Sequence, residues 1–129
     1  MATITRLRDI RKPKKYNPLN RLIKYYNSSI WKNLSYNHRI EQPLDELLLL
    51  EDIISPTEDV HHIVPFSSGI NELEKWWLLQ CPDNIISVSK KTHVNIHYHQ
   101  ERLTDKQRCH LKAKANEIKN MMMLELYVK

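Results

Sequence analysis

Five of the seven histidines in this 129-residue chain fall between residues 61 and 99. His61 and His62 are adjacent in D-V-H-H-I-V-P, and His93 and His97 are four apart in K-K-T-H-V-N-I-H-Y-H. On a helix, positions four apart lie on one face, a turn above each other. Two imidazoles so placed can close on one metal ion, and a third ligand from a nearby strand would complete a site with an open coordination position. Three histidines with an open position suit zinc or another first-row ion; magnesium alone is a poorer match for all-nitrogen ligands. His99 lies about 200° round an ideal helix from His97 and should face elsewhere.

The elements that must position these side chains can be read from periodicity and caps. Residues 59–65 and 85–88 are β-branched runs and predict two strands. Adjacent strand residues point to opposite faces, so His61 and His62 straddle the backbone. Taken alone, such a pair reads as polar decoration of an edge strand. Asp83-Asn84 before the second run is also ordinary turn chemistry. Ser89 can cap a helix beginning Lys90-Lys91-Thr92 and carrying His93 and His97. Between the strands, Asn71 can cap a short helix to Gln80. Its Trp76 and Trp77 cannot face the same way; core packing is expected for both, against the alternative that one stacks on a base or sugar. Upstream, Leu19, Leu22, Ile23, Tyr26, Ile30 and Leu34 recur at helical spacing and predict a helix over 19–41, capped by Asn17 with Pro18 at its first position and its apolar stripe in the core. Residues 43–53 predict a second helix with Pro43 in its first turn. Thr104-Asp105 opens a final helix to about Tyr127, whose Leu111, Ala115, Ile118 and Met122 share a face expected to lie on the first helix. Glu51, Asp52, Glu58 and Asp59 lack the spacing of a calcium loop and read as a solvated turn. Glu101 can orient a ligand histidine, though a surface role is the simpler one. His38 reads as structural or exposed.

The order His61-His62-Ile63-Val64-Pro65, then Asn84, then His93 with His97, resembles the HNH nuclease family, or ββα-metal fold. The spacing is similar to the branch in which three histidines hold the metal, as in bacterial toxin DNases; many relatives carry aspartate at the position of His61. A further likeness, through Tyr26–Trp31 and Pro43–His62, is to the phage-type branch. The resemblance implies an α+β fold: a ββα-metal (HNH) core of a two-stranded hairpin and a metal-bearing helix, flanked by N- and C-terminal helices. It implies His61, His93 and His97 as ligands of one divalent ion (zinc, nickel, manganese or magnesium), His62 as general base, and Asn84 fixing the backbone that bears the base. Histidine suits that task because its ordinary pKa of about 6.5 leaves it mostly neutral near pH 7. Phage-type relatives often carry a C-x-x-C pair that helps build a structural zinc site; here Asp45 and Leu48 stand at those positions, so leucine packing is expected to replace that zinc.

Charge is uneven. Residues 1–40 carry ten Lys/Arg and one acid, Asp9; residues 41–80 carry nine acids and one lysine, Lys75; the remainder carries nine Lys/Arg and five acids. Basic ends around an acidic middle suggest a polyanion held by the termini, nucleic acid above all. Residues 1–17 read as a basic arm ahead of a single domain over 18–129, the site falling within 59–101. Arg6, Arg8, Arg11, Lys12, Lys14 and Lys15 in the arm, with Lys90 and Lys91 beside the site, are the expected contacts to DNA phosphates, which position DNA without reading its sequence. One glycine, Gly69, argues against a glycine-cradled nucleotide site. Cys81 and Cys109 form no C-x-x-C pair and make little case for a disulfide or a zinc ribbon. No apolar run approaches membrane-spanning length, and no signal-peptide core stands at the start, which predicts a cytoplasmic protein with no membrane partner. The expectation is therefore an HNH endonuclease that cuts or nicks DNA, in a viral or mobile-element setting that could include phage packaging proteins. The competitors are a non-catalytic DNA- or metal-binding module of the same fold and a toxin-type nuclease with a neutralising partner.

Overall fold

The computed structural model of the chain describes residues 24–128. Its elements run α1 (Ser29–Glu41), α2 (Glu46–Leu49), β1 (Asp59–His62), α3 (Glu72–Gln80), β2 (Ile85–Val88), α4 (Lys90–Tyr98) and α5 (Asp105–Tyr127), with single 3-10 turns at 66–68, 82–84 and 100–102. The fold is α+β, mostly helical around one antiparallel two-stranded hairpin, and compatible with a ββα arrangement. No helix among the described residues is long and apolar enough to cross a membrane. The basic arm, with Arg6, Arg8, Arg11, Lys12, Lys14 and Lys15, and the expected cap at Asn17-Pro18 lie outside the described residues.

Strand register decides which side chains meet. Asp59 pairs with Val88, Val60 with Ser87, His61 with Ile86 and His62 with Ile85. Paired residues share a face of the sheet, and so do residues two apart. Ile86 and Val88 enter a cluster with Leu47, Ile96 of α4 and Leu103. Asp59 and His61 therefore face α4, while Val60 and His62 face the other way. On that other side a second cluster gathers Tyr25, Val64, Phe66, Leu78, Leu79, Cys81, Ile118 and Met122, with Trp31, Trp76 and Trp77 packed against it. Burial of the Leu47, Leu78, Leu79, Ile118 and Val88 side chains, each worth roughly 2 kcal/mol of transfer free energy, anchors both halves.

Several local expectations hold. Asn71, Ser89 and Thr104 cap α3, α4 and α5, accepting from Glu74 N, Thr92 N and Gln107 N, and Thr104 with Gln107 forms a complete capping box. Trp76 and Trp77 both lie against the core: Trp76 meets the Tyr25 ring at 4.7 Å, and Trp77 Nε1 donates to Glu125 Oε1. Both cysteines are free, Cys81 buried and Cys109 exposed.

Others do not. The helix expected over 19–41 is interrupted at Asn27–Ser28, because the Ser28 hydroxyl donates back to the Tyr25 carbonyl, ending one helical segment, and accepts from Trp31 N, starting α1. α1 has no buried residue, and Tyr26 and Ile30 of the expected core stripe are exposed. α2 is four residues long, and its cap is Asp45 rather than a Pro43 start. It stops at a Schellman-type closure: Ile53 N donates to the Leu48 carbonyl, with Asp52 at φ 59° in the left-handed position that glycine usually fills. α5 lies chiefly along α3 and the 82–84 turn, rather than on the first helix, although Tyr25 shares its core cluster. The single glycine has a steric reason: a Cβ on Gly69 would stand 2.8 Å from Lys75 N in the first turn of α3.

Candidate metal centre

β1 presents His61 and α4 presents His93 and His97 to one point. The ring centroids are 5.1 Å apart for His61–His93, 5.0 Å for His61–His97 and 4.8 Å for His93–His97. One ligating nitrogen from each ring lies within 4.8 Å of the other two. Around a tetrahedral ion with bonds of about 2.0–2.1 Å, ligand nitrogens sit roughly 3.3 Å apart, so the rings need close by no more than about 1.5 Å. The donor set fits one metal ion. Burial, with the neighbouring His93, His97 and His62 adding to it, lowers the His61 pKa to about 3, and burial next to His93 lowers that of His97. Rings held neutral release no proton to accept a cation.

Asp59 was expected in a solvated turn, but it belongs to this centre. Two residues before His61 on the same strand face, its Oδ2 accepts from His93 Nδ1 at 3.1 Å. That contact fixes the tautomer: Nδ1 carries the proton and Nε2 is left to face a cation. The strand period held the signal, since Asp59 and His61 are an i, i+2 pair. Lys90, exposed, stands 3.6 Å from Asp59 Oδ1; Lys91, the next residue of α4, is also exposed. Neighbouring acids are likewise engaged: Glu58 accepts from Lys90 N and Glu51 from the Thr104 hydroxyl. Glu101 does not orient a ligand; it lies 3.6 Å from His99, which stays outside the triad as expected.

His62 occupies the opposite face of β1 yet lines the same cleft, a space of about 310 Å³ bounded also by Tyr26, Val60, Pro65, Phe66 and Ser67. Three neighbours hold its ring. Trp31 lies over it at 4.4 Å and 31°, Phe66 meets it edge-on at 5.1 Å, and its Nε2 stands 3.1 Å from the Leu79 carbonyl. A carbonyl only accepts, so Nε2 carries the proton and Nδ1 keeps the lone pair. Burial lowers the His62 pKa to about 4, against the opposing pull of that carbonyl.

Asn84, with no exposed surface, clamps the chain just beyond His62. Its Oδ1 accepts from Val64 N at 2.8 Å, its Nδ2 donates to the Val64 and Leu78 carbonyls at 2.9 Å each, and its own carbonyl accepts from Ile63 N. The turn and the clamp are thus one residue. At the position where cysteine was expected to be missed, Asp45 is fully buried and accepts from Leu47 N, Leu48 N and Ser89 N. Glu46 beside it accepts from Ser87 N and bonds the His38 ring. Carboxylates, and not leucine packing alone, therefore tie α2 to β2 and α4, and His38 is structural.

No known protein family, no curated protein and no solved structure matches the chain.

Proposed function

We propose that this chain is a metal-dependent endonuclease of the HNH kind, with β1, β2 and α4 as a ββα-metal core that hydrolyses phosphodiester bonds of DNA. The observation that carries the proposal is that three imidazoles able to hold one cation and a fourth with a free Nδ1 line a single cleft. A divalent ion held by His61, His93 and His97 would supply charge to the phosphorane and to the departing sugar oxygen. His62 Nδ1 would take the proton of the attacking water. A pKa of about 4 keeps this base unprotonated but makes it a weak one; an anionic phosphate entering the cleft raises it toward neutrality. Trp31 and Leu79 hold the ring, so little rotamer freedom is lost when water binds. Asn84 fixes the backbone bearing the base, and Lys90 and Lys91 offer charge to flanking phosphates.

The test is direct. Purified protein with manganese, nickel, zinc or magnesium should nick supercoiled plasmid. His62→Ala should slow nicking by roughly 10²- to 10⁴-fold while still retaining DNA in a mobility-shift assay. An unchanged rate removes His62 as base. DNA binding with no cleavage under any metal favours the non-catalytic module of the same fold.

A further inference from the structure

The cleft has two unlike halves. One is the imidazole half. The other is a wall of Tyr26, Pro65 and Phe66 to which no lysine or arginine among the described residues contributes. Tyr26, at 46%, and Pro65 are the exposed members of this wall, and Tyr26 alone of the two is aromatic. Trp31 and Phe66 meet its ring at 74° and 75°, with centroids 6.1 and 5.3 Å away. These contacts fix the ring plane, and neither neighbour stacks parallel on it. The tryptophans of α3, the other candidates for stacking, are half-buried against the core and do not line the cleft. A scissile phosphate at the imidazole half brings its own nucleoside against this wall, and a base in contact with an aromatic face gains stacking energy whatever its identity.

We propose that Tyr26 forms a nucleoside subsite: the base next to the cleaved phosphodiester leaves its neighbours and stacks on the Tyr26 ring. The proposal rests on the nuclease reading. A cleft of about 310 Å³ is at the small end of ligand-sized pockets, which suits one nucleotide drawn out of its stack, whether from a single strand or from an opened duplex. The site is sequence-tolerant, because every base offers a π face.

The experiment uses full-length protein with manganese and two single-stranded DNA oligonucleotides that share one cleavage position: one complete, the other abasic at the nucleotide flanking it. On the complete strand, Tyr26→Ala and Tyr26→Leu should each lose roughly 10- to 100-fold in kcat/KM, while Tyr26→Phe stays within about threefold. On the abasic strand all four proteins should cleave alike, at the slower rate. Leucine preserves bulk without a π face, so a loss in that variant does not report a collapsed wall. An equal loss on both strands, a Phe variant as slow as Ala, or no loss at all overturns the subsite while leaving the nuclease standing. Wild-type protein that cleaves neither strand but nicks plasmid overturns the subsite alone; protein that cleaves neither strand nor plasmid overturns the nuclease reading, and the subsite with it.

Discussion

Asp59 supports the candidate metal centre without belonging to the histidine triad. Its carboxylate pins His93 Nδ1 at 3.1 Å, and Lys90 balances its charge. A ligand imidazole freed from such a partner rotates and loses basicity, which commonly costs about 10- to 100-fold in metal affinity. Asp59→Ala should therefore weaken zinc binding by about that factor, and Asp59→Asn, which keeps an acceptor but not the charge, by less. Competition against a chromophoric chelator measures both; affinities equal to wild type would return Asp59 to a surface role. Both the ligands and their neighbour were within reach of the sequence, for different reasons. His93 and His97 declare themselves because helix periodicity is local. His61 sits on the face of β1 that pairs with Ile86, and Asp59 shares it, but the acidic company of Glu51, Asp52 and Glu58 obscured that alternation. The direction of His62 was legible, whereas its partners were not: Trp31 and Leu79 reach it from elements 31 and 17 residues away.

The helices and strands show the same division between what neighbours in sequence decide and what tertiary contacts decide. Asn71, Ser89 and Thr104 cap where expected, since a cap needs only backbone N–H groups three residues on. The 19–41 expectation ran across a break, and the 43–53 expectation ran too long, because serine and aspartate compete for backbone partners. Ser28 breaks the first, and Asp45 starts the second late and spends an oxygen on Ser89 N, 44 residues away. That bond makes Asp45 a tie between α2 and the N-terminus of α4, the helix that carries His93 and His97. Substituting Asp45→Ala leaves three buried or partly buried donors without acceptors, at about 1 kcal/mol or more each, so unfolding free energy should fall by roughly 3 kcal/mol. Asp45→Asn should lose less, because its one carbonyl oxygen can still cap α2 but cannot also reach Ser89. Urea melts of the two variants measure this. A loss below about 1 kcal/mol in the alanine protein would mean that Leu47 and its neighbours hold α2 unaided.

At the scale of the whole molecule, the hairpin is shared by two apolar clusters, and its first strand carries two buried imidazoles, one on each face. No composition count shows this, because polar residues at a cluster boundary look like surface until the strands pair. Its energetic consequence is a pH-dependent fold. His61 and His62 have folded pKa values of about 3 and 4, both below the ordinary 6.5 of an unfolded chain. Below pH 6.5 the unfolded chain binds the extra protons, so stability is full above that pH and is lost as pH falls toward the folded values. Between pH 7 and pH 5 each ring accounts for about 2 kcal/mol. Metal-free protein, held in chelator, should therefore melt on the order of 10 °C lower at pH 5 than at pH 7. His62→Gln should remove about half of that slope, whatever its effect on absolute stability. Saturating zinc opposes the same loss. A cation bound only to the folded state at a hundred times its dissociation constant adds about 2.7 kcal/mol, and it holds its ligand rings neutral. The zinc-dependent rise in melting temperature should vanish in His93→Ala and His97→Ala while their chelated pH slope persists. A chelated wild type whose melting temperature is flat from pH 7 to pH 5 would show that these imidazoles take up protons without unfolding the protein, and the rigid, neutral site described here would not exist.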